Sequence, residues 1–488
     1  MSQLTSETFD QNARVALKNV QLRGALKNLA STFGERRKTA VKTVENWEDL
    51  REKARKIKDE TLCHLDKYLK NFAENAEKAG AKIHWARNGK EATQIVLDLI
   101  KSKNASKVVK SKSMATEEIH LNHALETAGI NPIETDLGEY IIQLACETPS
   151  HIVVPAIHKT KNQIADLFVE KVGMEKTNDV AVLTSTARKI LRSKFAEAEI
   201  GISGVNFGVA ETGTILILEN EGNARLTTSI PKTHIAVMGI EKIIPKFTDM
   251  DVFLKLLPRS GTGQRLTTYQ SLITGTKRNL NDEGPEEVHI VLMDNGRSKM
   301  LAHPVTRQSL ACIRCGACLN ACPVYGAIGG HAYGAVYPGP IGAVITPQLI
   351  GIGKTKQLPY ASSLCGACRE VCPVKIDIPE LLLHLRAEIT DGAANGKQTD
   401  VLIKAKVGER FAFGVYSLAW SNAGIYKLGT KTARFFQRFL AKNGKIGQVS
   451  GLMAKIAPPL GNWTEFRDAP TIAPKSFREI WNEDLKKN

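Results

Sequence analysis

Seven of the nine cysteines in this 488-residue chain fall between Cys312 and Cys372, and their spacing defines the chemistry open to them. The run Cys312-x2-Cys315-x2-Cys318-x3-Cys322-Pro323 sets three thiols to wrap one iron-sulfur cluster and sends the fourth to another. Soft thiolate sulfur stabilises clustered iron, and short gaps let a tight turn aim successive side chains at separate iron corners. Half of the run recurs: Cys315-Gly-Ala-Cys318-Leu-Asn-Ala-Cys322-Pro-Val matches Cys365-Gly-Ala-Cys368-Arg-Glu-Val-Cys372-Pro-Val. Applied to both copies, the crossover rule assigns Cys312, Cys315, Cys318 and Cys372 to one 4Fe-4S cluster. Cys322, Cys365 and Cys368 are left for the second.

The second set is one thiolate short. Repeat register places Ser362 opposite Cys312, with Ser363 one residue out of step. Three outcomes stay open: a 3Fe-4S cluster, a 4Fe-4S cluster with Ser362 or water on its fourth iron, or a ligand from elsewhere. The reading adopted is a 4Fe-4S cluster with a non-cysteine corner. Zinc is the competing metal, but a closed four-ligand site has no use for the third cysteine of the first run or for the crossing Cys-Pro. Cys63 and Cys146, in helical and apolar contexts, read as buried structural thiols. Between the motifs, Gly329-Gly-His-Ala-Tyr-Gly-Ala-Val-Tyr-Pro-Gly-Pro-Ile-Gly reads as a loop packed on a cluster, and His331 within it as a hydrogen-bonded structural residue.

Other residue groups carry weaker signals. Glu211, Thr212 and Thr214 edge a Gly-rich turn that enters a strand; they form a site or simply cap the turn. Lys110, Lys112, His158 and Lys159 line an anion pocket or lie on solvated surface. No flavin or nicotinamide fingerprint is present.

Four regions must position these residues. Residues 1–79 are rich in Lys, Glu, Ala and Leu, with helix-period apolar positions at Trp47, Leu50, Ala54 and Ile57 and again at Leu65, Tyr68, Leu69 and Phe72. Residues 80–300 alternate helices (Ala92 to Lys101, Glu117 to Ala128) with extended runs (Ala81 to Trp85, Lys107 to Lys110, His151 to Ala156, Ile215 to Leu218, Thr233 to Met238, Val288 to Leu292). That alternation predicts an α/β domain on a parallel or mixed sheet. Residues 301–395 form the metal domain and end in a helix from Pro379 to Asp391; Asp391 to Asp400 reads as a linker. Residues 396–488 form a basic, mostly helical end.

Hydrophobic residues at 43% and charged residues at 24% match an ordinary globular protein and exclude large-scale disorder. Crowded metal-type cysteines and the absence of an early apolar run point to the cytoplasm. The net charge of +16 does not indicate nucleic acid, because lysine and arginine are mixed with acids over most of the chain. The excess gathers after residue 400, with 15 lysines and arginines against 6 acids, which suits an acidic partner or peripheral contact with an anionic membrane. The longest apolar stretch, Phe411 to Trp420, is half of a membrane span.

Taken whole, the chain resembles the lactate utilization protein B family. The likeness rests on AETGTILILENEGNARLTTSIPKTHI, on CIRCGACLNACPVYGAIGGHAYGAVYPGPIGAV with LPYASSLCGACREVCPVKIDIPELL, and on the PKSFREIW ending. It implies a lactate-utilization-type α/β domain, related in fold to sugar-phosphate isomerases and CoA-transferases, joined to an α-helical two-cluster ferredoxin domain with helical termini. It also implies the same seven ligating cysteines, and an electron-transfer role beside partner proteins A and C in oxidising L-lactate to pyruvate, with the electron acceptor unidentified. A ligand-binding or regulatory protein with structural clusters is the alternative. One departure is Gly326, where many relatives are expected to carry arginine.

Overall fold

Short β-branched runs separated by helices build the central sheet of a computed structural model that describes residues 5–279, 281–391, 407–456, 458–465 and 467–485. Two units result, Met1–Ile403 and Lys404–Asn488, and each is described by itself. The strands of the first unit are β1 (Lys82–Ala86), β2 (Lys107–Lys110), β3 (Asn131–Glu134), β4 (Ile200–Gly204), β5 (Phe207–Val209), β6 (Thr214–Glu219), β7 (Thr233–Gly239), β8 (Ile243–Ile244), β9 (Tyr269–Ile273) and β10 (Glu287–Met293).

Six of them form a parallel sheet in the order β1-β10-β7-β4-β2-β3. From β2 the chain moves outward to β3, whereas from β4 it moves the other way through β7 to β10. The order therefore reverses between β2 and β4, and in open α/β sheets such a reversal leaves a crevice beyond the strand C-termini. Burial on both faces follows from the strand sequences. Ile235 and Val237 of β7 pack with Val96, Ile100 and Leu121 on one side, while Ala236 and Met238 pack with Leu65, Leu69 and Phe72 on the other. A second, mixed sheet, β8-β5-β6-β9, lies against that latter side, so the predicted Ile215 to Leu218 strand belongs to this sheet.

The helices Trp47–Cys63 and Leu65–Lys78 carry their predicted apolar faces inward: Trp47, Leu50, Ala54, Leu65, Leu69 and Phe72 are buried. The first of these helices shares one core with the second sheet, the helix Met250–Gly261 and the cysteine region. The cysteine region is thus bound to the α/β layer by continuous packing.

Two local expectations fail. The helix predicted over Glu117 to Ala128 is split into Met114–Glu118 and Leu121–Thr127, because His120 between them is left-handed at φ 52°. His151 to Ala156 is not a strand: the His151 ring, through Nδ1, accepts the backbone N–H groups of Val153 and Val154 at 2.9 and 3.1 Å, which a ladder would otherwise use. The predicted linker lies, apart from Asp391, outside the described residues. In the second unit, helices Val407–Ser421 and Ala423–Gln437 precede a small antiparallel sheet of Ala441–Lys442, Lys445–Ile446 and Ala469–Pro470. Among the described residues no helix is long and apolar enough to cross a membrane.

Lys110, at the end of β2, is fully buried; its ammonium meets Glu134 at 2.7 Å and Glu117 at 3.1 Å. Burial works against its charge, but the two carboxylates outweigh it and raise its pKa. Lys110→Met should leave Glu134 buried and unpaired and lower stability in urea by about 3 to 5 kcal/mol, the usual cost of halving a buried ion pair. A loss below about 1 kcal/mol would show the pair to be dispensable.

Candidate metal centre and adjoining cleft

The cysteine repeat is conformational as well as sequential. In the first copy Arg314 is left-handed at φ 60° and Gly316 at φ 78°; their counterparts Leu364 and Gly366 adopt 55° and 84°. A non-glycine residue seldom takes this conformation, so two matched instances mark a built turn. That turn aims side chains at neighbouring points: the Cys312 sulfur accepts the Arg314 N–H at 3.4 Å. At the matching position, the Ser362 oxygen accepts the Leu364 N–H at 3.1 Å. Ser362 therefore occupies the Cys312 position, while the neighbouring Ser363 hydroxyl donates to Cys365.

Cys312, Cys315, Cys318 and Cys372 line one small cavity with Ile313, Val374 and Ile376. Electrostatic coupling links Cys315 and Cys318 to Cys312 and Cys372, and Cys322 and Cys368 to Cys365. The seven cysteines thus gather as four and three. Three sulfurs accept backbone hydrogen bonds, Cys312 from Arg314, Cys322 from Tyr325 and Cys372 from Ile376, and the N–H groups of Ala317, Ile341, Ala367 and Arg369 favour the thiolate forms of Cys315, Cys318, Cys365 and Cys368. Ile341 belongs to the first turn of helix Gly339–Ile350, which places the end of the predicted glycine-rich loop against Cys318.

Burial pushes the Cys315 and Cys318 thiols up strongly, Cys368 to about 12 and Cys372 to about 11. Only Cys365 is lowered, by the Ala367 N–H and the Ser363 hydroxyl. Buried thiols with converging N–H donors become thiolates when a metal supplies positive charge.

Cations concentrate on the group of four. Arg51 is buried, donating to the Cys372 carbonyl at 2.8 Å and to Glu48 at 2.6 Å. Arg37 acts electrostatically on Cys315 and Cys372. Lys58 is buried, donates to the Glu241 and Ile243 carbonyls, and is lowered to about 7 by burial. Arg314 stacks 4.7 Å over Tyr337.

Of these cations Arg314 also borders a cleft of about 290 Å³ at the C-terminal edge of the parallel sheet, with Lys112, Lys242 and Arg297. Its lining follows the strand ends: Ser111 to Ser113 after β2, Asp136 after β3, Gly204 to Asn206 after β4, Glu241 and Lys242 after β7, Arg297 after β10. Cys315 and Arg314 close it from the cysteine side. Arg297 forks onto Glu118 at 2.8 and 2.9 Å and reaches Glu241 at 2.5 Å. Burial would raise the Glu241 carboxyl, but Arg297, Lys242 and Arg314 hold it down at about 2. Arg297, Glu241, Lys58 and Lys242 escaped the sequence analysis; charged residues directly after apolar runs were the available signal.

Other sequence candidates resolve differently. Lys110 is a buried ion-pair partner, Lys112 enters the cleft, and His158 and Lys159 both pair with Glu147 at 2.6 Å, so the four form no common pocket. Thr212 caps its own turn by accepting the Thr214 N–H, whereas Glu211 accepts the Phe247 N–H and so holds the start of the short helix Phe247–Asp249 rather than its own turn. His331 bonds the Thr148 carbonyl at 2.7 Å. A Cβ at Gly326 would meet open space. Cys63 and Cys146 are exposed, contrary to expectation: Cys63 lies on the outer side of its helix end, and Cys146 occupies a left-handed turn at φ 54°.

His303, His384 and Glu388 bring their ligand atoms within 4.8 Å of one another. His303 Nδ1, however, accepts the N–H groups of Val305 and Thr306, so Nε2 carries the proton. A metal-bound imidazole instead donates through its second nitrogen. The group is a hydrogen-bonded knot fixing the helix Ile378–Asp391.

Comparison with known proteins covers the whole chain. Residues 69–293 match the LUD domain family, residues 308–376 the 4Fe-4S dicluster domain, and residues 384–486 the family described as lactate utilisation protein B, C-terminal. Lactate utilization protein B of Bacillus licheniformis is 44% identical over 99% of this chain and 98% of its own length. Those of Bacillus cytotoxicus and Bacillus thuringiensis are 44% and 43% identical, with the same coverage. A solved structure, a DUF162 family protein from Deinococcus radiodurans, aligns with 47% of this chain and 98% of its own at 12% identity and a TM-score of 0.28, a likeness too low to bear on the fold.

Alkylation checks the exposure pattern. With iodoacetamide and mass spectrometry, Cys63 and Cys146 should label first in the native protein; in metal-free protein Cys365, exposed and with a lowered pKa, should label fastest of the seven. Faster labelling of Cys315 or Cys318 would contradict the burial described.

Proposed function

The chain belongs to the lactate utilization protein B family, and from that premise we propose that it is the iron-sulfur electron-transfer component of a multi-protein system that oxidises L-lactate to pyruvate. The observation that carries the reading is the grouping of Cys312, Cys315, Cys318 and Cys372 around one cavity and of Cys322 and Cys368 with the exposed Cys365, the two groups joined through one helical turn. Cys318 and Cys322 are four residues apart across the helix Ala317–Ala321, which puts the two groups on adjoining sites. Cys365 opens the second group to solvent.

We assign Cys312, Cys315, Cys318 and Cys372 to hold one 4Fe-4S cluster, and Cys322, Cys365 and Cys368, with Ser362 at the fourth position, to hold the second. Bound there, such clusters supply one-electron relays suited to splitting the two electrons that lactate oxidation releases. The chain's own residues prepare the sites. Amide N–H groups and the Arg37, Arg51, Lys58 and Arg314 cations offset thiolate charge, and the shared apolar core keeps water from the group of four.

Partner proteins A and C, an acceptor still to be identified and a cytoplasmic setting belong to the same reading. We assign docking of an acidic partner to the basic second unit, where Phe411, Phe413, Tyr416, Trp420, Phe435 and Phe439 are exposed. Contact with an anionic membrane is the competing use of that surface. The cleft beside Cys315 favours a second functional reading, a ligand-binding or regulatory protein whose clusters are structural.

Anaerobically purified protein should show two paramagnetic clusters on dithionite reduction, and L-lactate should reduce them once proteins A and C are added. Cys315→Ala and Cys368→Ala should each abolish growth on lactate. Full growth of both variants, or clusters inert to dithionite, would favour the structural-cluster reading. Ser362→Cys should keep the iron content unchanged while altering only the second cluster's spectrum; an unaltered spectrum would remove Ser362 from the site. Deletion of residues 404–488 should release the chain from its partners without changing sedimentation with anionic vesicles, and lost vesicle binding would point to the membrane instead.

A further inference from the structure

The cleft holds cationic groups that have carboxylates within ion-pair range but nitrogens without a hydrogen bond. Lys112 Nζ and Arg314 Nη1 are buried without a hydrogen-bond partner among the described residues. The nearest anion to Lys112 is Glu139 Oε1 at 3.6 Å, and the nearest to Arg314 is Glu241 Oε1 at 3.7 Å, both beyond hydrogen-bond reach. The Arg314 side chain is only 9% exposed. Lys242 lines the same space and donates no hydrogen bond among the described residues. Leaving a buried charged donor unsatisfied costs several kcal/mol, so two of them around one cleft, with the half-buried Lys242 beside them, mark a place where an anion completes the structure.

The surroundings narrow the class of anion. The volume of about 290 Å³ lies at the lower end of small-molecule sites. Met114, Ile152 and Leu257 supply apolar wall, while Asp136, Glu219 and Glu221 stand along the rest of the lining. An apolar wall opposite cations suits an organic anion, and the acids disfavour a polyanion. The position is the crevice between β2 and β4 where an open parallel sheet binds its ligand, and Cys315 forms part of its wall.

We propose that this cleft binds a short organic carboxylate, its carboxylate group held by Lys112, Lys242 and Arg314 and its carbon chain set beside Cys315. The site deepens the functional reading by placing a small-molecule site within this chain, and it rests on that reading only for the cluster at Cys315. A rival explanation is that Lys242 and Arg314 serve only to offset thiolate charge at Cys312, to which both are coupled.

The test uses full-length, anaerobically purified protein with its clusters, titrated by calorimetry at constant ionic strength with pyruvate, L-lactate and inorganic phosphate. At least one carboxylate should saturate a single site and phosphate should not compete. Lys112→Met and Lys242→Met should each weaken binding about tenfold or more, and Lys242→Arg should restore most of it. Bound carboxylate should also shift the paramagnetic spectrum of the reduced protein. Iron content and thermal melting of each variant report whether it has folded, and Lys242→Arg keeps the comparison valid if a methionine variant has not. Absence of carboxylate binding by wild-type protein, equal competition by phosphate, or unchanged affinity in both folded methionine variants would overturn the proposal. Wild-type protein lacking cluster signals would count against the functional reading, and calorimetry would still decide this one.

Discussion

A thiol buried away from water stays protonated unless positive charge and N–H donors compensate its ionisation, and the first unit answers that demand seven times. Backbone N–H groups bond Cys312, Cys322 and Cys372 directly and favour the thiolates of the other four, and the group of Cys312, Cys315, Cys318 and Cys372 has four cationic side chains around it as well. Arg51 shows how far the demand reaches. It comes from the N-terminal helices, is paired with Glu48, and donates to the carbonyl of Cys372, the cysteine that must cross from the second repeat to the first group. Packing that unites Trp47, Leu50 and Ala54 with the cysteine region thereby fixes the return of a residue more than 300 positions away.

How much of this was legible in the sequence depends on how local each constraint is. The division of the cysteines as four and three was read from spacing within two short runs, and Cys312, Cys315, Cys318 and Cys372 do line one cavity. Four strands of the parallel sheet, β1, β2, β7 and β10, were legible, the last two because burial on both faces demands unbroken apolar runs, whereas β3 and β4 were missed: β3 is short and holds Asn131 and Pro132, and β4 holds two glycines and a serine among its five residues. Lys110 was read wrongly because a lysine is seldom fully buried, and its partners Glu117 and Glu134 meet it only through the βαβ crossover. His151 to Ala156 resembled a strand because Ile152 to Val154 are β-branched, but one imidazole upstream took up their amides. Here a side chain competed with the ladder and won.

Cations in the interior were the least legible feature. Glu241, Lys242 and Arg297 stand directly after β7 and β10, and in a parallel sheet all such positions converge on one edge. Nothing in the local sequence distinguishes a charged residue that ends a strand in solvent from one that ends it in a cleft. The distinction is set by the strand order, and it is the reversal between β2 and β4 that turns these residues toward a common space.

The two repeats then differ where their surroundings differ. Arg314 and Leu364 hold the same left-handed turn, so both copies build the same loop, but the side chains carried there serve different neighbours. Arg314 reaches Tyr337 and Glu241 at the edge of the cleft. Leu364 packs on the apolar core, and Cys365 beside it stays exposed. Cys312 and Ser362, both half-buried, differ in the atom they offer at the matched position, a thiol in the first copy and a hydroxyl in the second. A duplicated loop with the same left-handed turn has thus become two unlike sites through the exchanges Arg314/Leu364 and Cys312/Ser362, the first copy bordering the ionic cleft of the α/β layer and the second leaving Cys365 exposed.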